Sequence, residues 1–172
     1  NHIVQKQALH LLNQIDKIKN HNNRLVGTAA IILVGICYND KNFISKGLNH
    51  LKKILKNSLD DFNFPKSRNI KSSVFFLKYL ILIREWFKEA QKPIPDFLNE
   101  IIWKCGSCYS MLSCTNKQFP LFNGATEINH KDYDIFLKNL KYKFINKNNE
   151  ISGLLKIKKK KLEFFIDCGN PP

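Results

Sequence analysis

The stretch KIKKKKLEFFIDCGNPP, residues 156–172, decides between an all-helical chain with a basic tail and a helical chain that runs into strands. Taken alone, Lys156–Lys161 has the composition of a phosphate-binding patch. Its neighbours change that reading. Ile151, Leu154, Leu155 and Ile157 precede the run, and Leu162, Phe164, Phe165 and Ile166 follow it, so two apolar segments flank a charged reversal. This is a β-hairpin pattern, with the lysines at the turn and on exposed strand faces. A lone hairpin is marginal in water, and Gly169, Asn170, Pro171 and Pro172 lead off without a third strand. The expectation is a β domain of which these residues hold the opening.

Working outward, 172 residues of which 44% are hydrophobic suffice for one core of ordinary size and exclude a disordered chain. The balance of 28 Lys and Arg against 14 Asp and Glu, +14 in all, favours an acidic partner: nucleic acid, anionic lipid or acidic polysaccharide. The basic residues are spread along the chain, and the abundance of Lys, Asn and Ile is also what a low-GC coding bias produces. Five cysteines do not form a fully paired disulfide framework. No secretory signal is visible from Asn1 onward, and a first residue other than Met is compatible with a segment upstream. The apolar runs Leu25–Tyr38 and Val74–Ile83, the second broken by Lys78, fall short of the roughly 20 residues of a bilayer span and read as core helices.

Helical periodicity covers most of what precedes residue 145. Val4, Ala8, Leu11, Leu12, Ile15 and Ile18 form one stripe. The segment 24–38 is apolar nearly all round, whereas 42–59 places Ile44, Leu48, Leu51 and Leu55 opposite lysines. The pair then repeats: 74–87 is apolar on most faces, and a half-exposed helix opens at Pro95 and Asp96. Alternating enclosed and half-exposed helices suggest stacked antiparallel hairpins, with a plain bundle as the rival. TNKQFPLFNG, residues 115–124, reads as irregular, Tyr133–Leu140 as a short helix, and 146–150 as a polar loop. The expected organisation is a helical portion, 1–145, followed by the start of an antiparallel β domain, 146–172.

Three stretches in this order, FPKSRNIKSSVFFLKYLILIREWF, FPLFNGATE and ISGLLKIKKKKLEFFIDCGNPP, resemble segments of the heparinase II/III-like polysaccharide lyases. They cover roughly the last two thirds of the chain. The resemblance implies a mainly α fold, part of an incomplete α/α toroid of helical hairpins, with the first strands of an antiparallel β domain after it. It implies a β-elimination lyase acting on acidic, uronate-containing polysaccharide in the cell envelope or periplasm, present here as a fragment that is itself inactive. No cofactor, metal site or nucleic-acid partner is expected beside it, and the lengths of the apolar runs lead to no membrane span.

In such chemistry a neutral amide or a cation stabilises the enolate-like intermediate. A Tyr or His removes the proton beside the carboxylate, and an acid protonates the leaving oxygen. The resemblance places the amide pair at the head of an inner helix, on Asn22 and Asn23, with His21 just before. Its tyrosine position falls near Ser72, which is no comparable base, and its β-domain histidine would lie beyond Pro172. Arg68 and Asn69 match the Ser-Arg-Asn loop, and Asn123 the Leu-Phe-Asn core; with Trp103 and Tyr109 as stacking aromatics, these are the substrate-binding candidates. Each has a plainer reading. Asn22 fits a helix terminus, Arg68 a loop-fixing ion pair, Asn123 with Gly124 a turn, and Trp103 and Tyr109 core packing.

CGSC, Cys105–Cys108, is the sharpest local motif. Cys37, Cys114 and Cys168 supply no second closely spaced pair for a metal, and a pair inside a helix is not placed for redox work, so buried small side chains explain it. No phosphate loop, zincin helix or nucleophile elbow is present, and His2, His10, His50 and His130 are scattered without a role. Two further readings stand beside the lyase: a non-catalytic carbohydrate-binding or envelope-assembly protein on the same fold, and a basic helical nucleic-acid binder.

Overall fold

A computed structural model describes residues 2–114, 118–146, 148–160 and 162–169. It is mainly helical: α1 (His2–Gln14), a 3₁₀ turn (Ile15–Lys17), α2 (His21–Cys37), α3 (Lys41–Ser58), α4 (Ile70–Glu89), α5 (Asp96–Leu112) and α6 (His130–Asn139). The strands β1 (Glu150–Ile151), β2 (Leu154–Lys159) and β3 (Leu162–Asp167) then form one antiparallel sheet in that order.

Short polar residues set the helix starts. The Asn20 side chain accepts from Asn23 N–H at the head of α2, and Asp40 Oδ1 accepts from Asn42 and Phe43 N–H at the head of α3. Asn69 caps α4 through Ser72 N–H, and Asn129 caps α6 through Asp132 N–H. The three-residue connection Tyr38–Asp40 folds α3 back on α2. The two approach closely because Gly47 lies against Ile32, where an added Cβ would stand 2.5 Å from Cγ1. Ala8, Leu12, Ile15, Ile31 and Phe43 close a core with Leu11, Ile18 and Val34 against it.

The strand reading needs one correction. Ile151–Ile157 is not a single strand; Ser152 (φ 54°) and Gly153 (φ 72°) reverse the chain between β1 and β2. Two consecutive left-handed residues are what a tight hairpin turn requires, and Ser-Gly supplies them. A third strand therefore exists, before the lysine run. The run itself turns as expected, with Lys159 paired to Leu162 and Lys160 at φ 55°. Residues 115–117, Lys147, Lys161 and Asn170–Pro172, which enter the loop, turn and terminal readings, lie outside the described residues.

Cross-strand register assigns the two faces of the hairpin. Lys156 faces Phe165, Lys158 faces Glu163 and Leu154 faces Asp167 on one side; Ile157 faces Phe164 and Leu155 faces Ile166 on the other. The charged side is the packed one, with Leu154 1% exposed and the Glu163 side chain 10%. The apolar side is turned outward, and Leu162 and Phe164 are 61% and 52% exposed.

Contacts gather into two units, Asn1–Ser58 with Phe75–Glu100, and Leu59–Val74 with Ile101–Pro172. α4 divides between them after Val74 and α5 after Glu100. No helix among the described residues is long and apolar enough to cross a membrane.

Candidate functional site

In the second unit, the loop between α3 and α4 is built around Asp60, whose Oδ1 accepts from Phe62 and Phe64 N–H at 2.9 Å each, while Oδ2 accepts from the Ser152 hydroxyl. This fixes a tight loop on which Arg68 stands at φ 54°, a left-handed conformation that residues other than glycine rarely adopt. The Arg68 side chain is buried, 6% exposed. Its Nε donates to Asp167 Oδ1 at 2.8 Å and to Oδ2 at 3.0 Å, and Nη2 donates to Oδ1 as well. The guanidinium lies 5.5 Å from the Phe64 ring centroid. It also lies directly against Gly169, where any side chain would overlap it.

The remaining partners come from the other matched stretches. Asn123 Nδ2 donates to Asp167 Oδ2 at 3.2 Å and to the Arg68 carbonyl at 3.4 Å, and Asn69 Nδ2 donates to the Asn123 carbonyl at 3.1 Å. Gly169 N–H donates to Asp167 Oδ1 at 3.1 Å. With so many donors converging on it, above all Arg68, the Asp167 carboxyl is held below the usual carboxylate range. The cation and the anion neutralise each other. What this cluster presents to solvent is therefore hydrogen-bonding amides and a shaped wall, with no free base.

Beside it opens a cleft of about 700 Å³ whose lining includes Asp61, Phe62, Lys66, Arg68, Ser152 and Cys168. Phe62 is 64% exposed, so an apolar ring stands at the cleft beside the Asp61 carboxylate and the Ser152 hydroxyl. Aromatic rings beside carboxylates and hydroxyls suit a sugar, whose C–H face stacks while its hydroxyls hydrogen-bond.

The sequence candidates distribute unevenly. Arg68, Asn69 and Asn123 come together in the cluster just described. Trp103 is 61% exposed on α5, touching Phe144 edge-on at 5.7 Å, which overturns the core-packing alternative for it. Tyr109 is buried among Phe119 and Tyr133, and its hydroxyl donates to Asp134 Oδ1 at 2.8 Å. Burial and that acceptor push its phenol well above the ordinary range, so it stays protonated. In the first unit, Asn22 and Asn23 occupy the first turn of α2 behind their cap Asn20, and His21 Nδ1 lies 2.9 Å from Ser58 Oγ. Ser72 stands in the first turn of α4, its N–H taken by Asn69.

Cys105 and Cys108 are buried, their thiols donating to the Asn63 and Phe62 carbonyls at 3.6 and 3.7 Å. Burial pushes both up, Cys108 to about 12, so neither is a thiolate at neutral pH. Among the described residues no group of three or more His, Cys, Asp and Glu is arranged to hold a metal.

Two site residues escaped the sequence reading. Asp167 and Asp60 each tie several segments together, and the signal for Asp167 was present: an acid closing the otherwise apolar run Phe164–Ile166. Comparison of the chain with protein-family models, curated proteins and solved structures finds no match in any of the three.

Proposed function

We propose that this chain is a heparinase II/III-like protein acting on acidic, uronate-containing polysaccharide by β-elimination, on a toroid-type helical scaffold in the cell envelope. One observation carries the reading. The three stretches that resemble the lyases, separated by tens of residues, converge on one hydrogen-bonded cluster: Arg68 and Asn69 from the first, Asn123 from the second, Asp167 and Gly169 from the third. Motifs that share a resemblance by chance have no reason to meet.

In the reaction, a base removes the proton on the carbon beside the carboxylate, the electron pair forms a carbon–carbon double bond, and the glycosidic carbon–oxygen bond breaks. The leaving oxygen takes up a proton. The resemblance supplies Asn22 and Asn23 as the amide candidates for stabilising the enolate-like intermediate, independently of the cleft in the second unit. Arg68 lines the cleft that receives the sugar, Asn69 and Asn123 brace the loops behind it, and Phe62 and Trp103 are exposed aromatic surfaces.

A second reading, a non-catalytic carbohydrate binder on the same fold, is favoured by one specific observation: the Arg68 cation is spent on Asp167 and the Tyr109 phenol on Asp134. Incubation with alginate, pectate, hyaluronan and heparin separates the two. Ultraviolet absorbance from the new double bond, growing with time on any of these, is the lyase result. Binding without absorbance across the panel gives the second reading, and neither binding nor absorbance rejects both.

A further inference from the structure

Helix α3 carries Lys41, Lys46, Lys52, Lys53 and Lys56 and no acidic residue. At 100° per residue all five lysines, with Asn49 among them, fall on one half of the helix; Phe43, Leu51, Ile54 and Leu55 fall on the other and are buried. From Lys41 to Lys56 the helix rises about 22 Å. Lys52 and Lys56 stand four apart, and Lys53 and Lys56 three apart, spacings at which like charges oppose helix formation. Asp16 meets this face, 3.2 Å from Lys53 Nζ and 3.7 Å from His50 Nδ1, and Asp96 lines the cleft beside Lys41 and Lys52. Lys41 and Lys46 have no ion-pair partner among the described residues.

An ordinary solvated stripe is convex. This one borders two clefts, about 410 Å³ beside Asn13, Lys46, His50 and Lys53, and about 530 Å³ beside Lys41, Lys52 and Phe97, with Asn49 lining both. We propose that the lysine face of α3 binds an acidic polysaccharide chain laid along the helix. The ammonium groups meet its carboxylates or sulfates, and the Asn13 and Asn49 carboxamides meet its hydroxyls. This rests on the polysaccharide class proposed above, but on neither the elimination chemistry nor any residue of the Arg68 cluster.

Nucleic acid is the competing polyanion, and the face lacks its tools. Single strands are held by aromatic platforms, whereas Phe97 is covered by the Lys52 ammonium, 4.7 Å from its centroid. Duplex bases are read chiefly by Arg and by bidentate amides in a groove, and α3 has no arginine.

The test is the affinity of the full chain for heparin, polygalacturonate, dextran and a DNA duplex of matched charge, at about 50 and about 200 mM salt. Release of about four counterions predicts a loss of about 100-fold in heparin affinity across that range. The quadruple variant Lys46→Gln, Lys52→Gln, Lys53→Gln, Lys56→Gln, with helicity checked by circular dichroism, is expected to bind at least about tenfold more weakly at low salt and to lose most of the salt dependence. An equal-charge control, Lys6→Gln, Lys78→Gln, Lys159→Gln, Lys160→Gln, is expected to keep wild-type affinity. Equal losses in both variants would reduce the effect to net charge and overturn the site. DNA bound as tightly as heparin would overturn it in favour of a nucleic-acid surface. An α3 variant that binds normally overturns the site alone, since double-bond formation on uronate polymers is scored separately.

Discussion

Two lysine-rich stretches of this chain solve the same problem in opposite senses. α3 turns its lysines outward and buries its apolar side, as an amphipathic helix does. The β2–β3 hairpin turns Ile157, Leu162, Phe164 and Ile166 outward and packs the side bearing Lys156, Glu163 and Asp167. The difference lies in partners. The packed side of α3 is Phe43, Leu51, Ile54 and Leu55, while its Lys53 meets Asp16 at the exposed rim. Under the hairpin each charge is met: Lys156 Nζ donates to the Met111 and Ser113 carbonyls at 3.2 and 2.8 Å, and Asp167 receives Arg68. A period of two identifies a strand; it takes the partners across the interface to say which side of it is inside.

The sharpest way to break this contrast is to remove a hairpin charge from its partner. Asp167→Ala leaves the buried Arg68 guanidinium unpaired and is expected to cost about 3 kcal/mol in urea unfolding, most of it recovered in the double variant Arg68→Met with Asp167→Leu. Leu154→Ala, a cavity on the same packed side, is expected to cost about 2–3 kcal/mol. Lys156→Met strands two carbonyls and is expected to cost about 1–2 kcal/mol. On the outward side, Phe164→Thr and Ile157→Thr are expected to stay within about 0.5 kcal/mol of wild type. A large loss there would mean the outward side is packed after all, and would erase the contrast.

Acid offers a gentler probe of the same pair. Because folding lowers the Asp167 pKa, its contribution to stability is complete above the unfolded value of about 4 and is lost as pH falls from there through the folded value. Unfolding free energy measured below about pH 4 should therefore fall more steeply for wild type than for Asp167→Asn, which lacks the titrating group.

Much of the local architecture was legible from residue order. The enclosed segment 24–38 and the lysine-faced 42–59 announce α2 and α3, Pro95 and Asp96 mark the head of α5, and the reversal at Lys159–Leu162 follows from its flanking apolar runs. The Ser152–Gly153 reversal was missed because Ile151, Leu154, Leu155 and Ile157 group as one apolar segment, and a segment defined by apolar content does not show a two-residue turn inside it. The sense of the sheet was hidden for a different reason: it depends on Arg68, far along the chain, and on carbonyls at the end of α5. For the site, Arg68, Asn69 and Asn123 were named from their motifs, but their bonds to one another and to Asp167 join residues tens of positions apart, which no local pattern pairs.

The Arg68–Asp167 bond joins positions 99 apart. During synthesis the loop emerges long before its carboxylate, so for the time needed to translate those residues the guanidinium must stay in water. The loop around Asp60 shares the delay, since Ser152 also arrives late. Ordering of this region is thus tied to the emergence of β3, and a nascent chain halted before Asp167 should leave the loop protease-sensitive.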